Sequence, residues 1–172
     1  ALLSSLQVFI MATLEDNKKK QQLQNLSYAD SLTGIYNQNK FIQLQEGYKN
    51  LQLKNLGIAY FDLNDLKEIN DRYGHEAGDT LIKQAANNIK QLFADNCYRI
   101  GGDEFVAIAV NVSENDFQAK LADVARLMQE TNIHIASGMS WRGENVSFHE
   151  QLLEADTRMY ENKKQYHIKK ND

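Results

Sequence analysis

Along most of this chain, short runs of apolar residues alternate with longer stretches in which apolar positions recur every three or four residues. Compact apolar runs bounded by turn formers read as strands, and the longer 3.6-residue period reads as amphipathic helix. Strands are predicted at Leu56-Gly57-Ile58-Ala59-Tyr60-Phe61, at Tyr98-Arg99-Ile100, over Phe105 to Val110, and over Ile133 to Trp141. Helices are predicted around Asn37 to Tyr48, over Gly78 to Phe93, and from Ser113, with Asp116, to about Glu130. A last helix opens at Ser147-x-x-Glu150, a capping box in which each side chain reaches the other's backbone amide. Gly101-Gly102-Asp103-Glu104 falls between two strands and has the character of a hairpin turn. The pattern predicts an α+β fold, a central and mostly antiparallel sheet flanked by helices.

The first residues follow a different pattern. Ala1 to about Tyr28 contains neither Gly nor Pro and is rich in Leu, Gln and Lys, which predicts one continuous helix. Leu3, Leu6, Ile10, Leu23 and Leu26 suit a coiled-coil seam, yet Glu15 to Gln22 offers no apolar residue to continue it. Residues 1–26 are therefore read as a linker or signalling helix and residues 27–172 as the domain it leads into. The start at Ala1 suggests a piece of a longer protein. The run Ala1 to Leu14 is shorter than the about 20 apolar residues that a bilayer requires. Two readings stay open for it: the end of a membrane helix with Lys18-Lys19-Lys20 on the cytoplasmic side, or a soluble dimerisation helix.

Composition narrows the function. With 172 residues, 42% of them apolar, the chain can bury one ordinary core but not two. A net charge of −4 supplies no basic field for a nucleic-acid backbone, so polymeric nucleic acid is not an expected partner. Cys97 is the only cysteine, which excludes a disulfide framework and a cysteine-rich metal site and suits a reducing cytosol. Cys97, His134, His149 and Trp141 belong to no ligand spacing and are assigned to structure.

Candidate chemistry lies in the carboxylates. Asp62 stands where an apolar strand runs out, and Asp103 and Glu104 stand in the hairpin turn. If the sheet brings them together, their repulsion must be offset, and Mg²⁺ or Mn²⁺ completed by substrate phosphate oxygens would do so.

Five blocks occur in order: Asp30-x-Leu32-Thr33-Gly34; Phe61-Asp62-Leu63-Asn64-x-Leu66-Lys67-x-x-Asn70-Asp71; Gly74-His75-x-x-Gly78-Asp79; Arg99-x-Gly101-Gly102-Asp103-Glu104-Phe105; and Ala155-Asp156-x-x-x-Tyr160-x-x-Lys163. From about Ser27 to His167 the chain resembles the GGDEF family of diguanylate cyclases. The resemblance implies a palm-like, nucleotidyl cyclase-like fold and an enzyme that condenses two GTP into cyclic di-GMP, releasing two pyrophosphates, in a dimer of half-sites. It also implies a cytoplasmic domain governed by an upstream sensor, with membrane attachment only through a segment before Ala1.

By the same resemblance Asp62 and Asp103 would hold the metal through carboxylates, Leu63 through its carbonyl, and Glu104 would complete the acidic cluster. Asp103 is the first choice for the catalytic base. Backbone amides of Asn64, Asp65 and Leu66, at a helix start, would cradle phosphate, with Lys67 and Lys163 as point charges on the outer phosphates. Asn70 and Asp79 would read guanine, whose N1–H and N2–H₂ are neighbouring donors that a carboxylate accepts together; Asp79 would also suit a helix cap. Gly101 and Gly102 would permit positive φ and close approach of the nucleotide.

The chain departs from the family in three places. Gln165-Tyr166-His167-Ile168 replaces a Gly-Arg-Asn group, leaving His167 as a substitute phosphate contact. Asn64 stands where many members have Asp. In Leu92-Phe93-Ala94-Asp95, leucine replaces the arginine of the family's product-inhibition site. Two rival readings are a catalytically weak GTP-binding regulatory module of the same fold, and an interaction domain that only dimerises through its leading helix.

Overall fold

The computed structural model describes residues 2–49 and 51–171. Its elements are α1 (Leu2–Tyr28), β1 (Tyr36–Asn37), α2 (Gln38–Tyr48), β2 (Leu56–Leu63), α3 (Leu66–Tyr73), α4 (His75–Phe93), β3 (Cys97–Arg99), β4 (Glu104–Ala109), α5 (Glu114–Glu130), β5 (Ile135–Arg142) and α6 (Phe148–Asn171). The sheet order is β1-β3-β4-β2-β5. Only β1 and β3 run parallel; every other pair is antiparallel. This is the expected α+β palm-like arrangement.

Every residue of β2 is buried, which is why the strand reads as an unbroken apolar run rather than an alternating one. Alternate side chains still divide between two cores. Ala59, Phe61, Leu63 and Phe105 pack beneath α4 and α5, where Ile82, Ile89, Phe117 and Val124 meet them. Ile58, Tyr60, Val106 and Ile108 face α2 and α6, against Phe41, Phe148 and Met159. Cys97, on β3, is buried in the first of these cores. On the second face α6 lies directly on β5: a Cβ at Gly138 would collide with the Ala155 carbonyl and the Met159 amide, so only glycine allows this approach.

The outer edge of β5 is closed by the same helix. Asn162 Oδ1 accepts the Ser137 amide proton at 3.0 Å, and Arg158 Nη1 donates to the Met139 carbonyl at 2.7 Å. The opposite edge ends in β1, a strand of only two residues.

Capping explains most boundaries. The Asn37 and Ser113 side chains accept the amides of Lys40 and Asp116, and Ser147 Oγ accepts the amide of Glu150, one of the two bonds of the expected capping box. The expected helix over Gly78 to Phe93 begins earlier, at His75, and a separate α3 precedes it. Gly74, at φ +86°, ends one helix and starts the other. It, not Asp79, occupies the cap position, so the capping role considered for Asp79 is wrong.

The continuous N-terminal helix is present as α1. Leu6, Val8, Phe9, Ile10, Met11, Leu14 and Leu23 are exposed on it. Leu3 and Leu26, two of the expected seam positions, have side chains outside the described residues. No helix among the described residues is long and apolar enough to cross a membrane.

Candidate active site

Asp62 is the penultimate residue of β2 and pairs in register with Glu104, the first of β4. The Leu63 amide donates to the Asp103 carbonyl at 2.9 Å, and the Ile100 amide donates to the Glu104 carbonyl at 3.0 Å. The expected hairpin turn is thereby pinned to the end of the central strand, and residues 42 positions apart in sequence share one place. Asp62 is 5% exposed. Burial pushes its carboxyl above the ordinary range, Lys163 pulls it back, and Asp103 adds repulsion. Burial also raises the Glu104 carboxyl; a 3.3 Å hydrogen bond from Tyr60 Oη opposes this, while Asp62, Asp103 and Asp156 reinforce it.

Lys163 does not stand free for phosphate. Its Nζ lies 2.6 Å from Asp62 Oδ1, because a buried carboxylate beside two other acids takes the nearest cation. Among the described residues no three His, Cys, Asp or Glu side chains gather closely enough to cage a metal ion, so the expected three-carboxylate cage is not formed. The donors still fit a hard divalent cation of another kind. They are all oxygens, and Mg²⁺ commonly takes one or two carboxylates and completes its shell with substrate phosphates.

The turn itself is held by the first sequence block. Arg99 Nε and Nη2 donate to the Gly102 carbonyl at 3.2 and 2.8 Å, and Nη1 reaches both Asp30 oxygens at 3.1 and 3.3 Å. Asp30 Oδ1 also accepts the Thr33 amide and hydroxyl at 2.9 and 2.7 Å. Burial alone would raise the Asp30 carboxyl, but the bonds from Thr33 and Arg99 outweigh it and hold it below the ordinary range. The sequence reading assigned no role to Asp30, Thr33 or Arg99; their place in the ordered blocks was the available signal. Neither Gly101 nor Gly102 adopts positive φ, contrary to expectation. A Cβ at Gly101 would press on the Glu104 carboxylate, which would have to shift, and the position at Gly102 is open.

Beyond the acids lies a cleft of about 620 Å³ whose walls include Leu63, Asp65, Leu66, Lys67, Arg72, Asp103, Lys163 and His167. It gathers Asp65, Leu66, Lys67, Lys163 and His167 of the expected phosphate residues and adds Arg72, whereas Asn64 lies outside its wall and donates its amide to the His134 carbonyl at 2.9 Å. Asn64 is 3% exposed and neither of its side-chain amide atoms has a partner. Asn70, Asp79, Gly101 and Gly102 lie outside the cleft wall. Asn70 packs on Gly78 so closely that a Cβ there would collide with its Oδ1, a buried oxygen without a partner, and exposed Asp79 follows at the next position. A separate apolar cavity of about 290 Å³, between α5 and β5, contains none of the acids and is not the candidate site.

One set of contacts had no sequence signal. Asp65, at φ +63°, starts α3 without a capping bond from its own side chain. Its carboxylate instead accepts the Tyr166 hydroxyl and, at 2.8 Å, Lys170 Nζ, which also lies 2.6 Å from Glu68. The Tyr166 hydroxyl is 3.2 Å from His134 Nδ1.

An antiparallel central hairpin with acids at one end, beside a cleft lined by both cations and carboxylates, defines a nucleotidyl cyclase-like palm domain. The description "Diguanylate cyclase, GGDEF domain" matches residues 27–168, and the chain belongs to the GGDEF family. It is similar to the probable diguanylate cyclase DgcJ of Escherichia coli (strain K12), 30% identical over 153 residues, covering 83% of this chain and 31% of that protein. It is also similar to the cyclic di-GMP phosphodiesterase PdeR of the same organism, 33% identical over 108 residues, covering 61% of this chain and 16% of that protein. The chain thus spans less than a third of either relative. Among solved structures, the coiled coil and GGDEF domain of DgcB from Caulobacter crescentus, in complex with c-di-GMP, superposes with a TM-score of 0.76 at 21% identity, covering 96% of each chain. That likeness establishes the fold.

Proposed function

We propose that this chain is a diguanylate cyclase domain that condenses two GTP into cyclic di-GMP. The observation that carries the reading is the register pairing of Asp62 with Glu104, beside Asp103 at the mouth of a cleft bearing Lys67, Lys163 and His167. Phosphoryl transfer needs in-line placement and charge neutralisation more than covalent help, and this arrangement suits both.

Asp62, Asp103 and the Leu63 carbonyl would hold Mg²⁺ or Mn²⁺, with Glu104 completing the acidic surroundings; the ion supplies charge for the α-phosphate. Backbone amides of Asp65 and Leu66, at the start of α3, receive phosphate oxygens; the Asn64 amide is taken by the His134 carbonyl and has no such part. Lys67 and His167 meet the outer phosphates, and Lys163 joins them once its bond to Asp62 is exchanged. Asn70 and Asp79, on either side of Gly78, accept the guanine donors. Asp103 takes the proton of the attacking 3′-hydroxyl. One domain supplies half of the reaction centre, so two copies face each other, and residues 1–26 raise their effective concentration as a linker helix under an upstream sensor. The domain works in the cytoplasm.

Incubation with GTP and Mg²⁺ or Mn²⁺, with cyclic di-GMP read by mass spectrometry, tests the proposal. A second reading, a GTP-binding regulatory module of weak activity, is favoured by the Lys163–Asp62 ion pair and by the absent arginine beyond it. GTP binding without product would select it. Neither binding nor product would overturn both.

A further inference from the structure

After Lys163 the chain lacks the arginine that would touch terminal phosphates and instead stays helical to Asn171. Tyr166 and Lys170, four residues apart, lie on one face of α6 and converge on the two oxygens of Asp65. Asp65 is the residue that turns β2 into α3, and its left-handed backbone is uncommon for a residue with a side chain, although Asp is among those that tolerate it. Its carbonyl accepts the Ile69 amide at 3.0 Å, closing the first turn of α3. The Lys170–Glu68 pair is an exposed one that contributes little. The Asp65 side chain, by contrast, is only 16% exposed and has both oxygens occupied from α6.

We propose that Tyr166 and Lys170 are positioning residues for nucleotide binding: through Asp65 they hold the β2–α3 loop in its phosphate-receiving shape. Preorganisation of that loop takes over part of what a direct arginine contact would supply. The proposal rests on the reading of the cleft as a GTP site. Neither side chain touches a reacting atom, so its loss acts on affinity for triphosphate rather than on the chemical step.

The test uses the whole chain, Mg²⁺ and the non-reacting analogue guanosine α,β-methylene triphosphate in a calorimeter, together with melting curves without nucleotide. Tyr166→Phe, which keeps the ring, combined with Lys170→Gln should weaken analogue binding by about tenfold, the scale of one or two lost charge-assisted hydrogen bonds. Lys170→Arg should restore much of the loss in the Tyr166-intact chain, because it keeps a donor over Asp65. Asp65→Gly adopts the left-handed turn unaided, so adding Tyr166→Phe and Lys170→Gln to it should cost little further affinity. Equal affinity of wild type and the Tyr166→Phe/Lys170→Gln variant overturns the proposal and leaves the GTP reading standing. Undiminished loss in the Asp65→Gly background also overturns it, since α6 would then act without the loop. Failure of the wild-type chain to bind the analogue overturns both.

Discussion

Two loops border the cleft, and each is held from outside by a cation and a hydroxyl meeting an aspartate. At the hairpin turn Arg99 bridges the Gly102 carbonyl to Asp30, which Thr33 braces. At the β2–α3 loop Lys170 and Tyr166 grip Asp65. The first clamp is built within a recurrent sequence block and is largely sheltered: the Arg99 and Asp30 side chains are 15% and 18% exposed. The second is built where the sequence departs from its family and is wetter, with Lys170 41% exposed. The difference separates two jobs. A sheltered clamp contributes to stability as well as to shape, whereas a solvent-facing one chiefly sets the conformation of the loop.

The largest effect should come from the acids that lie between the clamps. Asp103→Asn and Asp62→Asn are expected to lower the rate of cyclic di-GMP formation by at least about a hundredfold, through loss of charge at the phosphate. Asp103→Asn should leave the melting temperature nearly unchanged, since Asp103 holds β2 through its backbone carbonyl. Activity of either variant within a few-fold of wild type would refute the assignment.

Next in size is the sheltered clamp. Asp30→Asn should cost about 2 kcal/mol near neutral pH, the scale of hydrogen bonds to a charged group. The folded carboxyl titrates below its unfolded value of 3.8, so its contribution is complete above that value and is lost as pH falls through the folded one. Denaturant melts at pH 7 and pH 3 should therefore show the gap between variant and wild type shrinking with acid. A gap independent of pH would show that charge is not what Asp30 supplies.

Smaller, and of opposite sign, is Glu104→Gln. Burial and three neighbouring acids raise that carboxyl, so its ionised form opposes folding above the unfolded value and ceases to do so as pH falls below it. Removing the charge should stabilise the protein near neutral pH by about 0.5–1 kcal/mol after allowance for solvent, while product formation falls. A lower melting temperature would contradict this.

The smallest expected effect is on feedback. Leu92 packs partly against the core and its carbonyl accepts Lys120 Nζ at 3.0 Å, while Asp95 is exposed. Leucine cannot make the bidentate contacts of an arginine. Cyclic di-GMP titrated into an initial-rate assay should produce little inhibition that excess GTP fails to relieve; strong inhibition of that kind would mean that another arginine serves.

What was legible in the sequence followed from local pattern. β2, β4 and α5 carry clear apolar signals, and the Asn37, Ser113 and Ser147 caps announce themselves by residue type. β1 is too short to have a period, and α3 showed its start at Asn64 to Leu66 but not its extent, because polar residues run through the junction at Gly74. The acids were placed by a strand end and a turn, both short-range features. Their partners were not, since Lys163 reaches Asp62 and Tyr166 reaches Asp65 across 101 residues each. Contacts of that range depend on where α6 crosses the sheet, and that crossing is decided by Gly138, a residue whose role is visible only in three dimensions.

The closed rim of β5 bears on how copies of the domain can meet. Open strand edges recruit other strands and, at high concentration, seed fibrous aggregates. Here Asn162 and Arg158 occupy backbone groups on that rim, and the other rim is only two residues long. Docking by strand addition is therefore disfavoured at both rims, which leaves side-chain surfaces to bring two domains together. A contact of that kind can be remade at each encounter without exchanging any backbone ladder, which would suit the proposed pairing of two half-sites.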